Sequence, residues 1–186
     1  MSDEIRTWGT DRLVDFLVKK TADRGLMADM RAGLRSTTKM NAWPILAKFC
    51  NLSDSRLRVY EVVAGLYATY PNICEGKNMG ALCRELCGEE EERGIQNSSV
   101  SSGLREAEDD VKEGPMAKRF KRLLEADRGE ICELIIRIVL YARSMEKAVD
   151  YKSLGRDLLK WNDEIKRRWA QSFWAPRETD SKKEMA

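Results

Sequence analysis

Apolar residues recur along the chain at steps of three and four, the spacing that places them on one face of an α-helix. Two such stretches, 10–20 and 26–35, lie near the start, and a short third helix is predicted at 43–50. The segment from Arg56 to Tyr70 has the pattern of a central core helix, and Pro71 ends it. Alternation with a period of two, the pattern of a strand, is nearly absent.

The second half of the chain repeats the helical pattern. It predicts helices at 78–87, 116–126, 130–145 and 150–174. The last of these is predicted as one uninterrupted amphipathic helix. Its apolar stripe has seven members at steps of three or four: Tyr151, Leu154, Leu158, Trp161, Ile165, Trp169 and Phe173.

Between these two sets of helices the composition changes. Residues 89–114 carry a run of four glutamates and several serines and glycines, which predicts a linker or mobile loop. We therefore divide the chain into an N-terminal helical lobe at 1–88, an acidic Ser/Gly-rich connector at 89–114, a C-terminal helical lobe at 115–175 and a disordered tail at 176–186. A chain of 186 residues suffices for one core. The predicted fold is all-α, with two small helical lobes packed as one compact helical-bundle unit.

The composition fits a folded protein of the cytoplasm. Residues 1–24 include Asp3 and Glu4 and lack the basic and apolar regions of a secretory signal peptide, and no apolar run is long enough for a bilayer span. We therefore expect a cytoplasmic protein without membrane contact. The five cysteines form an odd set without framework spacing, so we expect free and mostly buried thiols.

Charge is segregated along the chain, although the net value is only +2. Residues 25–60 carry six basic and two acidic residues, and residues 114–174 carry fourteen basic and nine acidic residues. The connector region from 89 to 113 carries three basic and nine acidic residues. Two basic lobes thus flank an acidic connector, which favours nucleic-acid binding in a defined setting over indiscriminate binding.

The sequence offers little for catalysis. It contains no histidine, the commonest general base and metal ligand, and no Gly-rich phosphate loop. Cys83 and Cys87 lie one helical turn apart, where core packing is favoured over a metal or redox pair. Four carboxylates in the connector could hold Mg²⁺ in a small nuclease, but a solvated acidic run is favoured: Glu106, Glu108, Asp109 and Asp110. We expect no catalytic residue, metal or cofactor.

Basic side chains are placed as phosphate binding requires. Cations at Lys118, Arg119, Lys121 and Arg122 decorate the polar side of a helix whose other side is apolar. Arg128 follows at the next turn, and Arg137 and Arg143 lie on the neighbouring helix. Arg137 interrupts an apolar run, so it must either pair with an acid or reach a ligand. Arg31 and Arg35 are predicted to share one helix face in the N-terminal lobe.

Two segments of the C-terminal half resemble a known family. They are KRFKRLLEADRGEICELIIRIVLYARS at 118–144 and VDYKSLGRDLLKWNDEIKRRWAQSFW at 149–174. Both are similar to the small subunit (CasB family) of the type I-E CRISPR surveillance complex, Cascade. The upstream segments RAGLR at 31–35 and GKNMGALCREL at 76–86 resemble the same family more weakly.

The resemblance implies a non-enzymatic, two-lobed helical subunit. It would contact the backbone and large subunits of Cascade and a second copy of itself, and it would bind the R-loop of crRNA and target DNA together with the displaced single strand. The residues that the resemblance assigns to DNA are Arg31, Arg35, Arg56, Lys118, Arg119, Arg122, Arg128, Arg137 and Arg143. The alternative from the residues alone is a helical protein-interaction module without nucleic-acid binding.

Overall fold

The computed structural model describes residues 9–98 and 114–175, and within them the chain is helical without a named strand. A short 3₁₀ turn at Lys39–Ala42 precedes the third helix. The helices are α1 Gly9–Lys19, α2 Arg24–Ala32, α3 Trp43–Leu46, α4 Leu57–Thr69, α5 Met79–Ser98, α6 Pro115–Glu125, α7 Ile131–Ser144, α8 Tyr151–Lys160 and α9 Asp163–Trp174. The predicted all-α fold class is confirmed. The predicted tail at 176–186 lies outside the described residues.

Several helix starts follow directly from the local sequence. The side chains of Asp23, Asp150 and Asn162 each accept a hydrogen bond from a backbone N–H in the first turn of α2, α8 and α9. These N-caps satisfy amides that have no partner within the helix. Pro115 occupies the first position of α6, where its missing N–H costs nothing.

Helix α4 is the central element, as its apolar pattern predicts. It packs against α1, α2, α7 and α8, and every residue from Glu61 to Ala68 is buried. The two predicted lobes therefore share one hydrophobic core, because α7 and α8 belong to the second lobe and α1 and α2 to the first. This shared core fixes the surfaces of the C-terminal helices relative to the N-terminal ones.

The predicted single helix at 150–174 is wrong, because the chain forms α8 and α9 with a break at Trp161 and Asn162. Trp161 adopts a non-helical backbone, and Asn162 then caps the next helix through the amide of Ile165. All seven members of the predicted apolar stripe are nevertheless buried. The stripe thus predicted the core correctly but not the helix that carries it.

The predicted end of the helix at 78–87 is wrong. Helix α5 continues through residues 89–98 to Ser98, well past the predicted end at Cys87. Glutamate is a good helix former, so the glutamate run extends the helix and does not break it. At its other end, α5 packs closely against α9: a Cβ at Gly80 would lie 2.0 Å from the Trp169 carbonyl oxygen. Only glycine allows the two backbones to approach this closely.

Arg58 links three parts of the core surface, a role that the sequence did not reveal. Its guanidinium donates to the carbonyl oxygens of Gly33 and Leu34 just after α2, at 2.9 and 3.1 Å. It also forms ion pairs with Glu61 at 3.2 Å and with Glu133 of α7 at 2.6 Å. Glu61 is 1% exposed and accepts a further hydrogen bond from the Trp43 indole. Arg58 therefore neutralises a buried carboxylate and joins both predicted lobes.

We expect Arg58→Met to destabilise the fold by about 2 kcal/mol, because it leaves Glu61 buried with one hydrogen bond and no countercharge. Urea unfolding followed by helical circular dichroism measures the change. Adding Glu61→Gln in the same chain should recover part of the loss, since no buried charge remains. A double variant less stable than Arg58→Met alone would contradict this explanation.

Candidate nucleic-acid interface

An open groove of about 410 Å³ runs between α6 and α7. Its lining combines three arginines with three apolar or aromatic side chains: Arg119, Arg122, Arg137, Leu134, Ile138 and Tyr141. Two of the arginines come from α6 and the third from α7. The structure thus brings together three of the residues that the sequence proposed for DNA contact.

The polar side of α6 faces outward because the other side is anchored in the core. Met116, Phe120 and Leu123 are fully buried, and the Phe120 ring stacks on Phe173 of α9 with centroids 4.2 Å apart. Leu124 is half-buried at the edge. This burial confirms the predicted amphipathic pattern and leaves the α6 arginines on the exposed face.

Among the described side chains, those of residues 9–89 and 114–175, none forms an ion pair or hydrogen bond with the Arg137 side chain. The same holds in that part of the chain for Arg122. Of the two roles predicted for Arg137, pairing with an acid is therefore not realised among the described residues. Arg137 is exposed and lines the groove together with its apolar side chains, where it can reach a ligand.

Arg119 lies over the aromatic ring of Tyr141, with its guanidinium carbon 5.1 Å from the ring centroid. This distance is within the range of a cation–π contact. The contact orients a cation of α6 across the groove toward α7, and Tyr141 is half-buried at that point. The sequence did not single out Tyr141.

The other C-terminal cations of the predicted set are not among the residues that line the groove. Lys118 is exposed on α6, Arg128 is exposed in the turn before α7, and Arg143 is exposed in the last turn of α7. Their assignment to DNA stays a prediction. The segment from α6 to α7 nevertheless carries six exposed basic residues from the predicted set: Lys118, Arg119, Arg122, Arg128, Arg137 and Arg143.

The predicted pairing of Arg31 and Arg35 on one helix face is wrong. Helix α2 ends at Ala32, with Gly33 as its C-cap, so Arg35 lies beyond the helix. The Arg31 guanidinium donates to the carbonyl oxygen of Ala68 at 3.0 Å. Arg31 therefore satisfies a backbone carbonyl near the end of α4, whereas Arg35 is exposed and lies outside the helix.

Arg56 is bound to an acid that lies two residues before it. Its guanidinium contacts both carboxylate oxygens of Asp54, with the shortest contact at 2.7 Å. The hydrogen bonds from Arg56 lower the pKa of Asp54 to about 2. The pair is thus ionised at neutral pH, and Arg56 offers less net charge to a phosphate than the unpaired arginines do.

All five cysteines are free, and Cys83 and Cys132 are buried while the other three are half-buried. Burial raises the pKa of the Cys132 thiol to about 11.

Among the described residues, no group of three or more potential ligands could hold a metal. The four connector carboxylates, Glu106, Glu108, Asp109 and Asp110, lie outside the described residues. Within the described part, no helix is long and apolar enough to cross a bilayer.

A family model for CRISPR-associated protein Cse2 matches residues 26–174 of the chain. The match begins in α2 and ends at the last residue of α9, so it includes both helices of the groove. A search of curated proteins finds no match.

Several solved structures share the fold. One chain of a CRISPR RNA-guided surveillance complex aligns with a TM-score of 0.67 and 18% identity, covering 95% of this chain and 97% of that one. CasB from Thermus thermophilus aligns with a TM-score of 0.64 and 23% identity, covering 91% and 100%. CasB from M. ruber aligns with a TM-score of 0.60 and 22% identity, covering 95% and 96%. At these identities the likeness establishes the fold.

Proposed function

The chain belongs to the CRISPR-associated Cse2 family, and from that membership we propose that it is the non-catalytic small subunit of a Cascade surveillance complex. In this role it binds the backbone of target DNA and the displaced strand and stabilises the R-loop in antiviral defence. Its partners are the backbone and large subunits and a second copy of itself. A chain of the same fold in a CRISPR RNA-guided surveillance complex supports the assembly part of the proposal.

The observation that carries the DNA part is the cationic groove between α6 and α7. Arg119, Arg122 and Arg137 converge there from two helices, and the latter two have no acid partner within the described ranges. Three guanidiniums close together repel one another, and a polyanion relieves that repulsion. Phosphates of a DNA strand supply the required charge and accept the guanidinium hydrogen bonds.

Binding without catalysis is sufficient for this role. Forming an R-loop exchanges DNA pairs for RNA–DNA pairs of similar stability, so modest contacts to the strands shift the balance. The absence of histidine from the sequence removes the commonest general base and fits a subunit that holds strands without cutting them. In the proposed role the protein works in the cytoplasm, where the complex meets foreign DNA.

The test compares guide-loaded complexes assembled with and without this chain. We expect omission to weaken target-DNA binding about tenfold or more, because a tenfold change corresponds to only about 1.4 kcal/mol in a nearly balanced exchange. Binding is measured by titration with labelled target duplex, and strand opening by permanganate reactivity of the displaced strand. Equal binding and opening with and without the chain would reject the proposal and leave a protein-interaction role.

A further inference from the structure

We propose that the groove between α6 and α7 takes an unpaired nucleotide of the displaced DNA strand, with its base against Tyr141 and its phosphate at the arginines. The inference rests on the proposed function and adds to it a site for a base. It is carried by the mixed character of the groove, whose cations and apolar side chains face the same space.

The apolar part of the groove is unnecessary for a phosphate. Leu134, Ile138 and Tyr141 lie at steps of four and three along α7 and line one side of the space. A phosphate is bound by cations and N–H donors and gains nothing from leucine or isoleucine. A nucleobase has an apolar face, and removing that face from water against these side chains is favourable.

The aromatic part of the groove fits a base in particular. Arg119 covers the Tyr141 ring at 5.1 Å, so a planar cation and an aromatic ring stand together at the groove. Bases stack on aromatic rings and on guanidinium planes without regard to sequence, which suits a protein whose target is chosen by the guide. Arg122 and Arg137, without acid partners in the described part of the chain, remain to hold the adjoining phosphates.

The same features favour a single strand over a duplex. In duplex DNA the faces of the bases are covered by their neighbours, and mainly the backbone and the base edges are open to a protein. Only an unpaired nucleotide presents a free base face next to its own phosphate. The groove, at about 410 Å³, also lies within the range of about 300–1,000 Å³ that is usual for sites of small ligands.

The experiment separates base binding from phosphate binding with the full-length chain. A labelled fifteen-nucleotide oligothymidine strand is compared with a strand of fifteen abasic sites, which has the same phosphates and no bases. Fluorescence anisotropy gives both dissociation constants. We expect the wild-type protein to prefer the thymidine strand about fivefold or more, the lower end of the effect of one base stacked on an aromatic ring.

Two substitutions at Tyr141 locate the base. Tyr141→Leu keeps an apolar side chain without the ring and should lose the preference while abasic binding is retained. Tyr141→Phe keeps the ring without the hydroxyl and should retain the preference. Circular dichroism checks that both variants fold, and the wild-type comparison remains decisive if one of them does not.

Equal affinity of the wild-type protein for both strands would overturn the base site while leaving phosphate binding intact. A preference that persists in Tyr141→Leu, or one lost equally in Tyr141→Phe with native helicity, would also overturn it. Failure to bind either strand would reject this site, whereas the proposed function is judged separately by the complex assembled with and without the chain.

Discussion

Replacing Trp169 with alanine is expected to destabilise the fold by about 3–5 kcal/mol, the cost of truncating a buried aromatic side chain. Trp169 is fully buried, and its ring lies 4.8 Å from that of Trp161. Its indole N–H donates to the buried carboxylate of Asp157 at 2.6 Å, and Arg168 pairs with the same carboxylate. The substitution opens a cavity where α8 and α9 meet and removes one partner of a buried charge.

Chemical denaturation in urea, followed by circular dichroism, measures the loss. Trp174→Ala is the matched control, because the Trp174 side chain lies in the same helix but is 49% exposed. We expect the control to cost about 1 kcal/mol or less, since the ring is half exposed and its contacts with Phe120 and Phe173 are edge contacts. A loss below about 1 kcal/mol at Trp169 would contradict the assignment of this residue to the core.

The sequence predicted the buried stripe of the C-terminal region but not the break within it. Trp161 and Ile165 are four residues apart, as on one helix, and both are buried although a helix boundary lies between them. Periodicity therefore could not reveal the break. Asn162 was the available signal, because asparagine is a strong N-cap and its side chain caps α9.

The predicted connector illustrates a different limit. The charged and polar composition predicts a linker there, yet the glutamates of residues 89–92 lie in α5. A solvated helix and a solvated linker share a high charge content, so composition alone does not separate them. That residues 89–98 continue the helix depends on helix propensity and on the packing of the first turns of α5 against α9.

The candidate site was predictable in part. The amphipathic pattern of α6 and the arginine within the apolar run of α7 pointed to the right surfaces, but their meeting in one groove depends on tertiary packing. The sequence does contain a signal for Tyr141. It lies one helical turn after Arg137, and with Leu134 and Ile138 it forms a second apolar face of α7.

The N-terminal arginines show why residue type alone overestimates a binding surface. Arg56 is held by Asp54 and Arg31 by the Ala68 carbonyl, so each already has a local partner. An exposed ion pair adds little stability, but it must be broken or shared before a phosphate can use the cation fully. Arg122 and Arg137 in the groove have no partner among the described side chains, so no ion pair there has to be broken before they bind a phosphate.

Reversing the charge of Arg119, Arg122 and Arg137 to glutamate is therefore expected to weaken target-DNA binding by the assembled complex about 100-fold. Each single-strand phosphate contact contributes about 0.7 to the slope of log K against log salt, which corresponds to about fivefold per contact near 0.1 M salt. Loss of three contacts gives roughly 100-fold, and the salt slope should fall by about 2. The three side chains are exposed, so helicity should be unchanged.

The matched control replaces Lys19, Lys20 and Arg24 with glutamate. These residues are exposed near the end of α1 and the start of α2, and their reversal changes the net charge by the same amount. If binding depends on the groove, the control complex should bind target DNA nearly as the wild type does, with an unchanged salt slope. Equal weakening by both triplets would mean that DNA responds to overall charge rather than to this surface. Both triple substitutions change the net charge by the same amount. The difference in DNA affinity between the two variant complexes therefore measures the contribution of the groove between α6 and α7.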